Sequence, residues 1–429
     1  MITVEEAQES IFSNIVPLGR ERVHISDALG RVLAEDVVAP RPIPPWRNSA
    51  MDGYAVRAGD IAAATKSNPV KLRIIDELQA GFESDKTVGP GEAIRIMTGA
   101  PIPGGADSVV MVELTERDDD SEVSILQSVP EGEAVRLAGE DVEAGERVFE
   151  PGAYLQAASS AMLASIGRAH VYVHRRPRVA ILSTGEELVE VGQEPKVGQI
   201  FNSNSYALEA QVREAGGEPL LLGIARDNAE DLERHLRDGL AADVVLTSGG
   251  VSVGDFDLVK DTLGDLGNEM HFWRVRMKPG KPMAFGMLQG RPVFGLPGNP
   301  VSTMVSFELF VRPTLMKMQG HSAIHRPVVS ARLLHALSKS PERRHYVRAR
   351  AVYEGEGWSV NAVEAQGSNI IHSMVRANSM IIFPEYETEL EAESQVRVLL
   401  LDSGSALLGG LSSGEGPGAL MAKVEGGRG

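Results

Sequence analysis

The chain has 429 residues, with 42 Lys plus Arg against 59 Asp plus Glu and no cysteine. That length exceeds one ordinary core and calls for several domains. A formal charge of −17 argues against a general nucleic-acid or anionic-membrane surface, and the lack of cysteine excludes disulfides, thiol nucleophiles, Cys–Zn sites and Cys-ligated iron–sulfur clusters.

In chain order, the first residues, Met1-Ile2-Thr3-Val4-Glu5-Glu6, are acidic and lack the basic and apolar parts of a signal peptide. No apolar run reaches membrane-spanning length, and the one near 301–311 carries Glu308. The expectation is a soluble cytoplasmic protein. Residues 4–16 place Val4, Ala7, Ile11 and Ile15 on one face of a helix. The stretch Arg41-Pro42-Ile43-Pro44-Pro45-Trp46 is extended. From 46 to about 144 the pattern is short strands, with 108–112 and 123–126 the clearest, between turns rich in Gly, Pro and Asp. Residues 155–166 read as a second helix whose small side chains suggest close packing against the first.

The character changes over 178–320. Strand candidates at 178–182, 219–223, 243–247 and 292–295 alternate with helical stretches at 205–215, 229–241, 256–263 and 301–318. That alternation predicts a parallel sheet with helices on both faces, whose ligands bind beyond the C-terminal ends of the strands. Thr184-Gly185-Glu186-Glu187, Arg226-Asp227, the turn at Gly249 and Pro297-Gly298-Asn299 all fall at such ends. Residues 327–402 return to strands, at 328–334, 345–353, 359–363, 379–384 and 395–401. Residues 403–429, rich in Gly, Ser and Ala, read as a flexible tail.

The most telling segment runs from Val244 through Thr247-Ser248-Gly249-Gly250-Val251-Ser252-Val253-Gly254 to Asp255-Phe256-Asp257. A strand feeding a glycine-rich turn and then a helix presents bare N–H groups to phosphate oxygens. Two aspartates beside that phosphate imply a divalent cation between them. Lys278-Pro279-Gly280-Lys281-Pro282 holds two lysines close together on a backbone fixed by proline, which costs energy unless an anion joins them. Glu186 and Glu187 read either as capping residues at a helix start or as reaching a metal or a substrate amine. Arg47-Asn48-Ser49-Ala50-Met51-Asp52-Gly53-Tyr54, Arg95-Ile96-Met97-Thr98-Gly99-Ala100-Pro101 and Arg136-Leu137-Ala138-Gly139-Glu140-Asp141 are individually compatible with plain turns. His170/His174 and His321/His325 share i,i+4 spacing, but the first pair lies in a strand pattern and the second flanks a linker, so neither suggests zinc.

Together and in this order, the motifs at 47–56, 97–103, 249–257, 278–282 and 297–302 resemble the MoeA family, the molybdopterin molybdenumtransferases, which includes the gephyrin E domain. The resemblance covers about residues 1–402. It implies a multidomain α/β plus β protein: an elongated N-terminal domain from 1–45 and 145–177, a β-rich insertion domain at 46–144, a doubly wound adenylyltransferase-like (MogA-like) α/β domain at 178–326, and a C-terminal β domain at 327–402. It implies Mg²⁺-dependent insertion of molybdate into adenylylated molybdopterin, with release of AMP, by a homodimer. Molybdopterin adenylyltransferase and apo-molybdoenzymes are the implied protein partners, with no nucleic acid and no membrane.

By the same resemblance, the catalytic residues are Asp52, Asp141, Glu187, Asp227, Asp257, Lys278 and Lys281. Ligand contacts fall to Thr98, Arg136, Thr184, Gly249, Gly250, Ser252, Gly254, Pro297, Gly298, Asn299 and Ser368. Metal ligands are Glu187, Asp227, Asp255 and Asp257, with Asp257 preferred over Asp255, and Asp52, Thr98, Arg136 and Asp141 are expected on the far side of the cleft. The competing readings are the preceding adenylylation step, a scaffold for receptor peptides, and tungstate in place of molybdate.

Overall fold

The computed structural model describes residues 1–117, 119–226, 228–250, 258–355 and 357–401. The chain divides into two compact units, residues 1–20 with those from 174 onward, and residues 21–173.

The larger unit is built on a six-stranded sheet. Four strands, Glu218–Ala225, Arg178–Thr184, Val244–Ser248 and Arg291–Leu296, lie side by side in that order and run parallel. Alternation along the strands supplies two buried faces. Val179, Ile181, Val244, Leu246 and Phe294 pack with Leu208 and Val212 of the helix Ser203–Glu214 and with the helical run from Pro300 to Met318. Ala180, Leu182, Val245 and Val293 pack on the opposite face with Leu232 and Leu236 of the helix Ala229–Gly239. The expected doubly wound arrangement is present, but the sheet is not wholly parallel. Pro282–Leu288 and Glu269–Arg274 extend it by antiparallel pairing. They carry the lysine loop, and the sequence reading missed them because they form no βαβ alternation. The helix expected at 301–318 is present, with π-helical hydrogen bonding at Phe307–Val311.

The first helix, Val4–Phe12, opens with a capping box: Thr3 Oγ1 accepts from Glu6 N (3.1 Å) and Thr3 N donates to Glu6 Oε2 (2.7 Å). Its Val4, Ala7 and Ile11 enter the same core as the 301–318 run. The second helix, Ala157–Ser165, lies in the smaller unit, where Leu163 packs with Leu33, Val171 and Val173. The two helices therefore do not share a core, contrary to expectation. Small side chains allow close packing but do not choose the partner.

Near the C-terminus, Arg344–Tyr353, Trp358–Ala362, Val328–Leu333, Gln395–Leu400 and Ser379–Phe383 pair successively, and the last returns to the first. This closed ring surrounds Ala331, Leu333, Ala349, Val360, Ile381 and Val398. The short strand Met277–Lys278 pairs with the start of Arg344–Tyr353, in the register Met277↔Arg344 and Lys278↔His345. The smaller unit contains its own six-stranded sheet, with apolar clusters around Tyr54, Leu72, Val110 and Val123 and around Ala55, Ile94, Ile96 and Val109. No described helix is long and apolar enough to cross a membrane.

Candidate active site

The parallel strands set the site. Arg178–Thr184 ends at Thr184, Glu218–Ala225 ends just before Arg226, Val244–Ser248 ends before Gly249 and Arg291–Leu296 ends before Pro297. All four ends open into one cleft of about 1490 Å³ in the larger unit. Its walls include Thr184, Glu187, Gly249, Gly250, Lys278, Lys281, Pro297, Gly298, Asn299 and Ser368. The sequence reading had singled out each of these, from five separate segments.

The turn after Val244–Ser248 is held closely. Gly249 N donates to Leu296 O (3.1 Å), and Gly249 has φ +93°. A Cβ at that position would stand 2.5 Å from Thr184 O, so glycine is required both for its left-handed backbone and for the approach of the neighbouring strand end. Asn204, in the first turn of Ser203–Glu214, donates through Nδ2 to Ser248 Oγ and Gly298 O, both at 2.8 Å. It thereby ties the glycine turn to the Pro297 loop. Thr303 Oγ1 closes that loop by donating to Pro297 O and to Asn299 O (3.0 Å). Thr184 Oγ1 and Asn204 Oδ1 are buried with no hydrogen-bond partner among the described residues, an arrangement that leaves polar groups ready for a ligand.

Glu187 supplies the carboxylate on this wall. It does not start a helix: Thr184 passes through a turn, closed by Leu188 N to Gly185 O (3.2 Å), into the short strand Leu188–Val189. The capping reading is thus excluded, because the next helix begins only at Ser203. The described residues contain no gathering of three His, Asp or Glu side chains that could hold a metal. Asp227, Ser252, Gly254, Asp255 and Asp257 lie outside the described residues.

The same cleft is lined by Lys278, Lys281 and Arg343. None of the three side chains has a hydrogen bond or ion pair with a described residue. Their field is felt by His345, beside Lys278 in the sheet register. Burial, then the charges of Lys278, Lys339 and Arg343, push its imidazole down to about 4. The Ser368 loop is positioned from beneath by Arg348. That side chain is 2% exposed, and it donates to Ser373 Oγ and Gly367 O, both at 3.2 Å. Gln366 braces the same loop, accepting from Arg348 N (3.0 Å) and donating to Arg348 O (2.9 Å). Arg343, Arg348, Asn204 and Gln366 escaped the sequence reading. Arg343 carried the only available signal, a second cation in Arg343-Arg344 immediately before a strand.

The remaining predicted residues belong to the smaller unit. There the motifs at 47–54, 97–103 and 136–141 are drawn together. Ser49 N donates to Ala100 O (2.9 Å), Gly99 N to Ser49 O (2.8 Å), and Asn48-Ser49 pairs with Val135-Arg136. Asp52 Oδ1 accepts from both Thr98 N and Thr98 Oγ1 at 2.7 Å. Those two bonds, backbone first, hold its carboxyl below the usual carboxylate range. Asp141 is fixed by its backbone N, which donates to Ile43 O (2.9 Å). Three unremarkable turns thus become one polar surface bearing Asp52, Thr98 and Arg136.

Family models match nearly the whole chain in sequence: MoeA N-terminal region (domain I and II) at residues 2–167, probable molybdopterin binding domain at 180–317, and MoeA C-terminal region (domain IV) at 330–401. The molybdopterin molybdenumtransferase of Nostoc sp. is 39% identical over 412 residues, covering 94% of each chain. Molybdopterin molybdenumtransferase 2 of Mycobacterium tuberculosis is 38% identical over 93% of this chain and 99% of its own. The crystal structure of the molybdopterin biosynthesis MoeA protein from Pyrococcus horikoshii superposes with a TM-score of 0.81 at 35% identity, covering 94% of this chain and all of the other. Full-length identity of this order, shared with a common architecture and with the motifs gathered in the cleft, places the chain in the MoeA family, the molybdopterin molybdenumtransferases of molybdenum cofactor biosynthesis.

Proposed function

We propose that the protein inserts molybdate into adenylylated molybdopterin, with Mg²⁺, and releases AMP. The observation that carries this reading is the division of one cleft into two chemistries. Its lining offers backbone suited to phosphate at Gly249-Gly250, with Thr184 and Asn204 beside it, and also Lys278, Lys281 and Arg343, whose side chains make no ion pair with a described residue. The first suits a pyrophosphate, and the second suits a tetrahedral oxyanion. A cleft of about 1490 Å³ has room for both together.

The chain's own residues then act by binding and orientation. The glycine turn and the N-terminus of Ser203–Glu214 hold the diphosphate. Lys278, Lys281 and Arg343 hold the oxyanion against the ligand's dithiolene, and Ser368 is set beside them by Arg348 and Gln366. The carboxylate of Glu187 and the unpartnered Thr184 Oγ1 are hard oxygen donors of the kind magnesium takes; Asp227, Asp255 and Asp257 are proposed to complete its ligand set. Magnesium, when bound, would neutralise charge on the diphosphate. Asp52, Thr98, Arg136 and Asp141 are proposed to serve the same reaction in a homodimeric, cytoplasmic enzyme.

Purified protein should release AMP from adenylylated molybdopterin only when molybdate and Mg²⁺ are both present, and excess EDTA should stop the release. AMP release in EDTA would refute the metal requirement. Consumption of ATP with unmodified molybdopterin, and no response to molybdate, would instead assign the preceding adenylylation step.

A further inference from the structure

The smaller unit gathers three strand ends at one edge of its sheet. Ile96 is paired with Gly53 on one side and with Leu78 on the other. The segments that run past this row are therefore neighbours: Met51-Asp52 before Gly53–Val56, Met97-Thr98-Gly99 after Glu92–Ile96, and Gln79-Ala80-Gly81-Phe82 after Val70–Leu78. Met97 N donates to Leu78 O (3.0 Å), Val112 N to Asp52 O (3.1 Å) and Phe82 N to Gln79 O (3.2 Å). The turn that carries Phe82 lies against the turn that carries Thr98: a Cβ on Gly99 would stand 3.9 Å from the Ala80 side chain.

This edge combines a fixed anion with exposed apolar side chains. Asp52 Oδ1 is occupied by both Thr98 donors, whereas Oδ2 accepts no hydrogen bond from a described residue. Arg95, whose charge reaches the carboxylate, is itself paired with Glu77 (3.4 Å). Phe82 is 65% exposed and Met51 41%. A lone exposed apolar residue needs no explanation. An aromatic ring and a thioether at the same edge as an open carboxylate oxygen are the two parts of a site for a flat heterocycle: a face to stack on and an acceptor for N–H groups at the ring's rim.

The order of donors selects the ring. A pterin presents a ring amide N–H beside an exocyclic amino group, two donors in a row, and an ionised carboxylate only accepts. Adenine presents its amino group beside ring nitrogens that accept, and an anion repels those lone pairs. We propose that this edge recognises the pterin of the organic substrate, with Asp52 Oδ2 accepting from its adjacent N–H groups and Phe82 stacking on its face. This rests on the reading that the protein acts on adenylylated molybdopterin.

Phe82 is exposed, so Phe82→Ala should leave the melting curve in place, and a loss then reports binding. The KM for adenylylated molybdopterin should rise about tenfold, the weight of one ring stacked on an aromatic side chain, with the KM for molybdate unchanged. Affinity of the full chain for hydroxymethylpterin, which has the ring and no phosphate, should fall by the same factor, and Phe82→Tyr should restore both. Asp52→Asn should also weaken hydroxymethylpterin binding, because Oδ1 stays with Thr98 and an N–H donor replaces Oδ2. Affinity for AMP should move in neither variant. An unchanged KM or unchanged pterin binding in Phe82→Ala would overturn this proposal alone. Loss of AMP affinity in place of pterin affinity would assign the edge to the adenine end and overturn it too. No AMP release from adenylylated molybdopterin by the unsubstituted protein, with molybdate and Mg²⁺ present, would overturn the functional reading itself.

Discussion

The cleft of the larger unit and the Asp52 turn of the smaller unit treat charge in opposite ways. In the larger unit, Lys278, Lys281 and Arg343 face the cleft without counter-ions, and Thr184 Oγ1 and Asn204 Oδ1 are buried without partners among the described residues. In the smaller unit Asp52 is already answered by two hydrogen bonds from Thr98, and Arg73, Arg95 and Lys86 lie against Glu92, Glu77 and Asp76, while Asn48 Oδ1 is buried without a partner among the described residues. Open donors on a rigid sheet edge hold their free energy for a ligand. A carboxylate stabilised by two N–H and O–H donors is instead fixed as an anion before any ligand arrives. Asp52 is therefore suited to accept hydrogen bonds or to repel and align charge, and is not suited to act as an acid near neutral pH.

Substitutions on each side can break this contrast. The largest effect is expected from Gly249→Ala. The added Cβ collides with Thr184 O, and the left-handed backbone adds strain, so stability should fall by roughly 1–3 kcal/mol and AMP release by two orders of magnitude or more. Near-native turnover in this variant would remove the glycine turn from the site. Next, Lys281→Ala should leave the melting curve unchanged while weakening oxyanion binding about 10- to 100-fold, from a charge-assisted contact on the order of 1.5–3 kcal/mol. Calorimetry with molybdate would check this, and an unaltered affinity would show that the open cations are not held for an anion.

A smaller loss is expected for Asp52→Asn, which keeps an acceptor for Thr98. A fall in turnover of less than about tenfold would mean that hydrogen-bond alignment is what matters, and a deeper fall would mean that the charge itself is used. Mixing Asp52→Ala with Asp227→Ala protein, each expected to be inactive alone, sharpens this further. Recovery of activity after subunit exchange is expected if the protein forms the proposed homodimer and pools residues from both chains, and none if each site lies within one chain or the subunits depend on one another.

The smallest effect concerns pH. His345 is held neutral, with its pKa near 4 against 6.5 for the free side chain. Between those values the unfolded chain binds a proton that the fold refuses, so stability should decline as pH falls from 6.5 towards 4. His321 and His325, also pushed down by burial and by Arg312, act in the same direction. Lys278→Met should raise the His345 pKa measured by NMR, and an unmoved titration would show that the lysine's field does not reach it.

Much of the larger unit was legible because its physics is local. Strands such as Val244–Ser248 are short apolar runs that end in glycine or polar turns, and the expected helices occur where apolar side chains recur at helical spacing. Strand ends then predict a shared edge, which groups Thr184, Gly249 and Pro297 from sequence alone. Arg348 was not legible: a buried arginine that braces the Ser368 loop looks, in sequence, like any polar position in a strand. The pairing of Met277–Lys278 with Arg344–His345 was equally hidden, since it joins segments nearly seventy positions apart through two residues. In the smaller unit, Asp52 and Thr98 meet through the side-by-side pairing of Gly53–Val56 with Glu92–Ile96, a register that turn chemistry alone does not specify.

That two-residue pairing has a consequence for how the protein fails. Lys278 belongs to the doubly wound sheet by connectivity and to the C-terminal ring by hydrogen bonding. The ring is thus the splint on which the lysine loop is set. Damage far from the cleft, such as a slipped register in Ser379–Phe383 or a chain cut short after 327, would surface as misplaced charge and a loss of anion affinity, and screening by enzymatic assay alone would mistake a structural lesion for a chemical one.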